Sequence, residues 1–107
     1  MSSWFRIRNL KMTDEFSENV TLLKSNHEMG AWHYCKISSI YRELSIGHSR
    51  PKGMVPIIAR INNTSWETSL LPVKKDNSYF VAIKADVRKL ENLKEGDKFT
   101  LYFKFRI

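Results

Sequence analysis

The sequence predicts a mainly β fold, a small closed barrel built from two ββαβ halves and carrying two short helices. Three observations lead to this prediction. Bulky side chains alternate with polar ones along several segments, turn-forming residues separate those segments, and the apolar spacing becomes helical in two places. The chain has 107 residues, which is the usual length of one domain.

The domain organisation follows from the N-terminal pattern. Residues 4–10 alternate in a way that fits either a strand or an ordered arm. We therefore assign residues 1–15 to an N-terminal arm or extra strand, and residues 16–107 to a single β-barrel domain.

The first half of the barrel is predicted to begin with two strands and a helix, before the strand over residues 54–61 completes it. Residues 16–24 and 32–37 favour strands. Ser38 or Ser39 then suits the N-cap of a short helix, because a serine hydroxyl can accept a hydrogen bond from a free N–H of the first turn. We expect this helix to end near Gly47.

A hairpin is predicted at the centre of the chain. Residues 54–61 alternate like a strand, and Asn62-Asn63 follows as a turn, because asparagine tolerates the left-handed backbone conformation. The chain then returns along residues 66–71. Pro72 favours an edge or an exit from the sheet, because it has no N–H to donate to a ladder.

The second half repeats the pattern. A turn at residues 75–78 leads into a strand over residues 79–84. Between residues 84 and 93 the apolar spacing is helical. A turn around Gly96 then leads into the final strand over residues 99–107, where bulky and polar side chains alternate strictly.

The predicted elements thus run strand, strand, helix, strand, and then repeat in the same order. Two such halves can close one small barrel and so remove the exposed edges that strands otherwise leave. Because both halves lie in one chain, a monomer is sufficient to form the barrel.

Several sequence blocks carry a family resemblance. They are, in order, Trp32-His33-Tyr34, the hairpin segment 54–63, the segment 68–72, and Val87-Arg88 followed by Gly96-Asp97. Together they resemble the bacterial family known as domain of unknown function 1905, with Ala59 and Asn63 in place of hairpin glycines. The resemblance implies a double-split β-barrel capped by helices at both ends. It implies no established activity.

A shorter stretch, residues 83–99, also resembles one half of the AbrB-type swapped-hairpin DNA-binding domains. Lys84 and Ala85 stand where those domains have an isoleucine-proline step, and Glu91 replaces the usual glycine. Because the likeness covers so little of the chain, it implies a shared fold motif rather than a shared function.

Composition excludes several classes of protein. A hydrophobic content of 42% with 12% aromatic residues argues against a disordered chain. The longest apolar stretch, Met54 to Ala59, is far shorter than the ~20 residues that span a bilayer. The N-terminus has no signal-peptide pattern, and the single cysteine, Cys35, cannot form an internal disulfide. We expect a soluble, cytoplasmic domain that does not associate with membranes.

The net charge of +7 makes a polyanion the natural partner to consider. A basic surface releases counterions when it meets nucleic acid, and the aromatic-arginine pairs Trp4-Phe5-Arg6 and Tyr41-Arg42 offer rings for base stacking. The alternative is an ordinary solvated surface, because lysine and arginine on the wet face of strands also prevent edge-to-edge aggregation.

A cationic loop, residues 47–53, is the most suggestive local motif. Its backbone N–H groups and basic side chains suit a phosphate or a carboxylate, although it lacks P-loop spacing; it also reads as a simple connection between a helix and a strand. Arg88 either binds an anion in a cleft or donates to nearby carbonyl groups, with Asp97 in the following turn. The candidate ligand-binding or anion-binding residues are His48, Arg50, Lys52, Arg60 and Arg88.

No catalytic, metal or cofactor site is predicted. His33 and Cys35 share one face of a strand, but zinc needs three or four ligands, and a small buried cysteine is the simpler interpretation. The carboxylates are scattered singly. The residues expected in the core or lining the barrel are Trp32, Trp66, Phe80, Phe99, Leu101 and Phe103.

The sequence therefore predicts a small non-enzymatic binding module. Two alternatives stay open: binding of nucleic acid or another polyanion through a basic face, and a catalytic or small-molecule-binding barrel that uses the 47–53 loop and Arg88.

Overall fold

The computed structural model describes residues 15–27, 30–38, 41, 53–73, 75 and 78–106. Its elements are, in chain order, β1 (Phe16–Thr21), β2 (Leu23–His27), β3 (Gly30–Ile37), β4 (Val55–Ile61), β5 (Thr64–Val73), β6 (Ser78–Ala82), α1 (Ala85–Leu90) and β7 (Lys98–Phe105). The mainly β class is confirmed. The arm or strand expected within residues 1–15 and the helix expected after Ser38 fall almost entirely outside the described residues.

The strands form one seven-stranded antiparallel sheet in the order β1-β7-β4-β5-β6-β3-β2. Its first and last strands, β1 and β2, are consecutive in the chain and are joined through Leu22 alone. The sheet therefore curls into a half-barrel. The closed double-split barrel with two helices is a finer prediction that is not confirmed: the described part of the chain contains one short helix, α1.

Leu22 is fixed to the turn that precedes β7. Its N–H donates to the carbonyl oxygen of Asp97 at 2.8 Å, and its own carbonyl oxygen accepts from the N–H of Gly96 at 2.8 Å. Gly96 has a φ of 93°, which glycine adopts without a steric penalty. The residue between the two edge strands is thus held by the turn that links α1 to β7.

The inward faces of the strands form the core. In β4, Val55, Ile57, Ala59 and Ile61 are buried, as their alternation predicts, and β7 contributes Leu101, Phe103 and Phe105. Buried residues from the other elements complete this cluster: Phe16, Val20, Leu22, Cys35, Ile37, Tyr41, Trp66, Leu70, Tyr79, Val81, Ile83 and Val87. No helix in the described ranges is long and apolar enough to cross a membrane.

The predictions for the Asn62-Asn63 turn and for Pro72 agree with the structure. Asn62 adopts a φ of 53° at the β4–β5 turn, where Ile61 pairs with Thr64. Pro72 lies in the last part of β5, which pairs with β6 and has passed the end of β4. A missing N–H is tolerated there because none of the described strands pairs with this part of β5 on the side of β4.

Trp32 and Phe80 were expected in the core, and this prediction is wrong. Cys35 on β3 and Val81 on β6 are fully buried and pair with each other across the sheet. Successive side chains of a strand point to opposite faces, so Trp32 and Phe80 lie on the outer face, where both are half-buried. Trp66, Leu101 and Phe103 are in the core as expected, and Phe99 packs against it while partly exposed.

Candidate functional site

Three aromatic rings meet on the outer face of the sheet. Trp32 and Tyr34 come from β3, and Phe80 comes from the neighbouring strand β6. The ring centroids are 4.9 Å apart for Trp32 and Tyr34, 5.2 Å for Trp32 and Phe80, and 5.8 Å for Tyr34 and Phe80. All three side chains stay half-buried rather than covered. We call these three residues the aromatic cluster.

A hollow of about 230 Å³ lies over the aromatic cluster. Ser25, Lys36 and Val73 line it together with the three rings. Ser25 pairs with Trp32 across β2 and β3, and Lys36 pairs with Phe80 across β3 and β6. The hollow thus combines aromatic surface with a hydroxyl and an ammonium group, which suits a flat ring attached to a negatively charged group.

Arg60, one of the predicted anion-binding residues, makes intramolecular contacts at the protein surface. Its Nη2 and Nε donate to the carboxylate of Glu15 at 3.1 and 3.3 Å, and its Nη1 donates to the carbonyl oxygen of Asn62 at 2.6 Å. Its guanidinium also lies 4.1 Å from the centre of the Tyr102 ring. The hydrogen bond from Arg60 lowers the pKa of Glu15. These contacts engage all three nitrogens of the Arg60 guanidinium.

Arg88 lies on α1 and is half-buried. Its Nε donates to the carbonyl oxygen of Ile83 at 3.2 Å, and a contact of this kind is one of the two roles that the sequence left open. Asp97 accepts a hydrogen bond from the backbone N–H of Lys94 at 2.8 Å and so closes the turn after the helix. The other predicted site residues, His48, Arg50 and Lys52, lie outside the described residues.

His33 faces inward from β3 near the start of α1. Its Nδ1 is buried and has no hydrogen-bond partner among the described residues. Burial lowers the pKa of His33, the positive charges of Arg88 and Lys24 lower it further, and Glu95 opposes them. The imidazole is therefore held neutral.

The folded protein should lose stability in mild acid because of His33. An unfolded chain protonates this residue near pH ~6.5, whereas the folded state resists protonation, so protons favour unfolding as the pH falls through that value and below. We expect the stability advantage of the wild type over His33→Gln to shrink between pH ~7 and pH ~5. Chemical denaturation of both proteins across this range measures it. If the difference in the free energy of unfolding between the two proteins stayed constant with pH, His33 would not be held neutral by the fold.

Glu18 was not singled out by the sequence, yet it lies on the inward side of β1 between the buried residues Phe16 and Val20. Both of its carboxylate oxygens accept from the backbone N–H of Ser38 at 3.1 Å. Burial raises the pKa of Glu18, and the hydrogen bond from Ser38 opposes this. The side chain thus fastens β1 to the end of β3.

Cys35 is fully buried and belongs to the core. Burial, with a smaller effect from the charge of Glu18, raises the pKa of its thiol to about 12. A thiol with this pKa is not a nucleophile at neutral pH. In the part of the chain that the structure describes, no group of three or more His, Cys, Asp or Glu side chains is placed to hold a metal ion.

The aromatic cluster is the feature that sequence reasoning missed, although a signal was present. The sequence favoured a buried Cys35, and Trp32 and Tyr34 have parities in that strand that place them on the opposite face. The same reasoning, applied to Val81, places Phe80 outside.

Comparison with curated proteins finds no match. The family model described as Domain of unknown function (DUF1905) matches residues 19–102. The matched range begins within β1 and ends within β7, so it includes the aromatic cluster, α1 and most of the sheet. This match covers most of the chain, and the protein therefore belongs to the DUF1905 family.

Proposed function

We propose that this domain is a non-catalytic module that binds single-stranded nucleic acid through the aromatic cluster. The observation that carries the proposal is the position of three rings on the outer face of the sheet, with an open hollow above them. Rings in such a position stack on bases of any sequence, because every base has a π-face.

The charge of the surroundings supports a polyanion. Lys36 lines the hollow, and Lys84 lies two residues after Ala82, with the same parity as Phe80 on β6, and is exposed. Lysines next to a surface on which bases stack can pair with the phosphates of the same strand. The overall net charge of +7 favours association with nucleic acid in general.

The shape of the site favours single strands over duplexes. Bases inside a duplex already stack on each other, so side-chain rings reach them only where strands are separated. The helix α1 has six residues, a length of about 9 Å, which makes it a poor recognition helix for a major groove. For this reason we do not extend the AbrB-type likeness to duplex DNA binding.

Binding of a small molecule at the 47–53 loop is the other function considered. Most of this loop falls outside the described residues, and no contact of Gly53 in the described part favours a ligand there. The aromatic cluster is therefore the better supported site.

A salt titration tests the proposal. Fluorescence anisotropy of a labelled oligothymidine of about 12 nucleotides should show binding that weakens as salt rises from about 50 to about 200 mM. For phosphate contacts with the two lysines named above, the slope of log K against log salt should be about −1.4 or steeper, at ~0.7 for each contact. The duplex of the same length is the control and should bind more weakly. Absence of binding at the lowest salt, or equal binding of the duplex, would contradict the proposal.

A further inference from the structure

A second hollow lies beside α1 and is rich in positive charge. It measures about 360 Å³ and is lined by Ala85, Arg88, Lys89, Asn92, Leu93 and Lys94. Three of these side chains are cationic, and none of the lining residues is an acid. We call it the α1 hollow.

Arg88 is held in a defined position at this hollow. Its Nε donates to the carbonyl oxygen of Ile83, and the Arg88 side chain makes no further hydrogen bond among the described residues. The guanidinium thus keeps donors for another partner. Guanidinium groups match the geometry of phosphate oxygens, and lysines such as Lys89 and Lys94 add point charges.

The nearby carboxylates have other partners or belong to other surfaces. Glu91 accepts from Asn62 at 2.6 Å and from Thr64 at 2.5 Å, and these hydrogen bonds lower its pKa. Asp97 is bound by the N–H of Lys94. Asp86 lines a different hollow with Lys89 and Leu90. Glu95 does not line the α1 hollow. The α1 hollow therefore keeps its positive character.

The residues of the α1 hollow follow those of the aromatic cluster closely in the sequence. The N–H of Ile83 donates to the carbonyl oxygen of His33 at 2.9 Å, so the contact between β6 and β3 extends to the residue next to Trp32. From Phe80 to Lys84 the extended chain covers ~13 Å, and α1 begins at the next residue.

We propose that the α1 hollow binds phosphate groups of the same single strand whose bases stack on the aromatic cluster. This inference rests on the proposed function and adds the path of the nucleic-acid backbone. The bound nucleic acid runs from the rings past Lys84 to Arg88, Lys89 and Lys94. The inference also predicts that affinity depends on oligonucleotide length, because a short oligonucleotide on the cluster does not reach α1.

The test compares two double variants that each remove two positive charges. Lys89→Gln/Lys94→Gln alters the α1 hollow, and Lys104→Gln/Arg106→Gln alters exposed residues at the end of β7. Each is titrated with oligothymidines of about 3 and about 12 nucleotides. We expect the first variant to lose affinity for the longer oligonucleotide only, with the magnitude of its salt slope smaller by about 1.4, or ~0.7 for each lost phosphate contact. The second variant should resemble the wild type.

The possible results separate the two proposals. If the wild type binds the oligonucleotides and the first variant binds both of them as the wild type does, the inference is wrong and the aromatic cluster still stands. An equal loss in both double variants would show that only overall charge matters, which also overturns the inference. If the wild type binds neither oligonucleotide, the proposed function itself fails.

Discussion

Replacing Phe103 by alanine should lower the free energy of unfolding by about 3–5 kcal/mol. Phe103 is fully buried in β7, and its ring lies 5.1 Å from that of Tyr41, 5.7 Å from that of Phe16 and 5.9 Å from that of Phe105. Alanine would leave a cavity among these rings, which cannot close without moving two strands. Since domains are stable by only about 5–15 kcal/mol in total, the variant should unfold at much lower urea concentrations, followed by circular dichroism.

The matched control is the preceding residue on the same strand. Tyr102 lies on the outer face, where it pairs with Arg60 through its ring. Tyr102→Ala should cost about 0.5–1 kcal/mol, as expected for an exposed cation–π contact. If the two variants were equally destabilised, the division of β7 into an inner and an outer face would be incorrect.

Replacing Trp32 by alanine should weaken binding of single-stranded oligonucleotides about ten- to a hundredfold, because stacking of one base on a ring contributes ~1–3 kcal/mol. The slope of affinity against salt should stay unchanged, since Trp32 makes no phosphate contact in this proposal. Trp32→Phe should retain most of the affinity. Anisotropy titrations measure these effects, and a thermal melt of each variant checks that the domain remains folded.

Leu71→Ala provides the control for Trp32. Leu71 is a half-buried apolar residue that pairs with Phe80 across β5 and β6, but it does not line the hollow. Its removal should leave the affinity for oligonucleotides unchanged. If Leu71→Ala and Trp32→Ala weakened binding equally, the rings would act through sheet packing and not through stacking on bases.

The parts of the fold that depend on local chemistry could be predicted from the sequence. The alternation in β7 identifies its inner face, and Asn62 marks the β4–β5 turn, because single residues decide each of these features. The contact of Arg88 with a nearby carbonyl group is of the same kind, since donor and acceptor are five residues apart.

The candidate site was harder to predict because it depends on pairing between distant strands. β3 carries apolar or aromatic side chains on both faces, so its periodicity alone does not show which face is inside. The burial of Cys35 and Val81 identifies the inner face, and the pairing of β3 with β6 brings Phe80 against Trp32. Glu18 is a similar case, because its partner Ser38 is twenty residues away in the chain.

The position of β7 between β1 and β4 has a consequence for how the molecule assembles. In the described part of the chain, β7 is the only ladder partner of β1, with Phe16 opposite Phe103. The earliest of these strands to leave the ribosome therefore has no ladder partner among the described strands until the latest one has been translated. Pairings of such long sequence separation slow folding, so this architecture leaves the nascent chain exposed to chaperones until translation has passed β7.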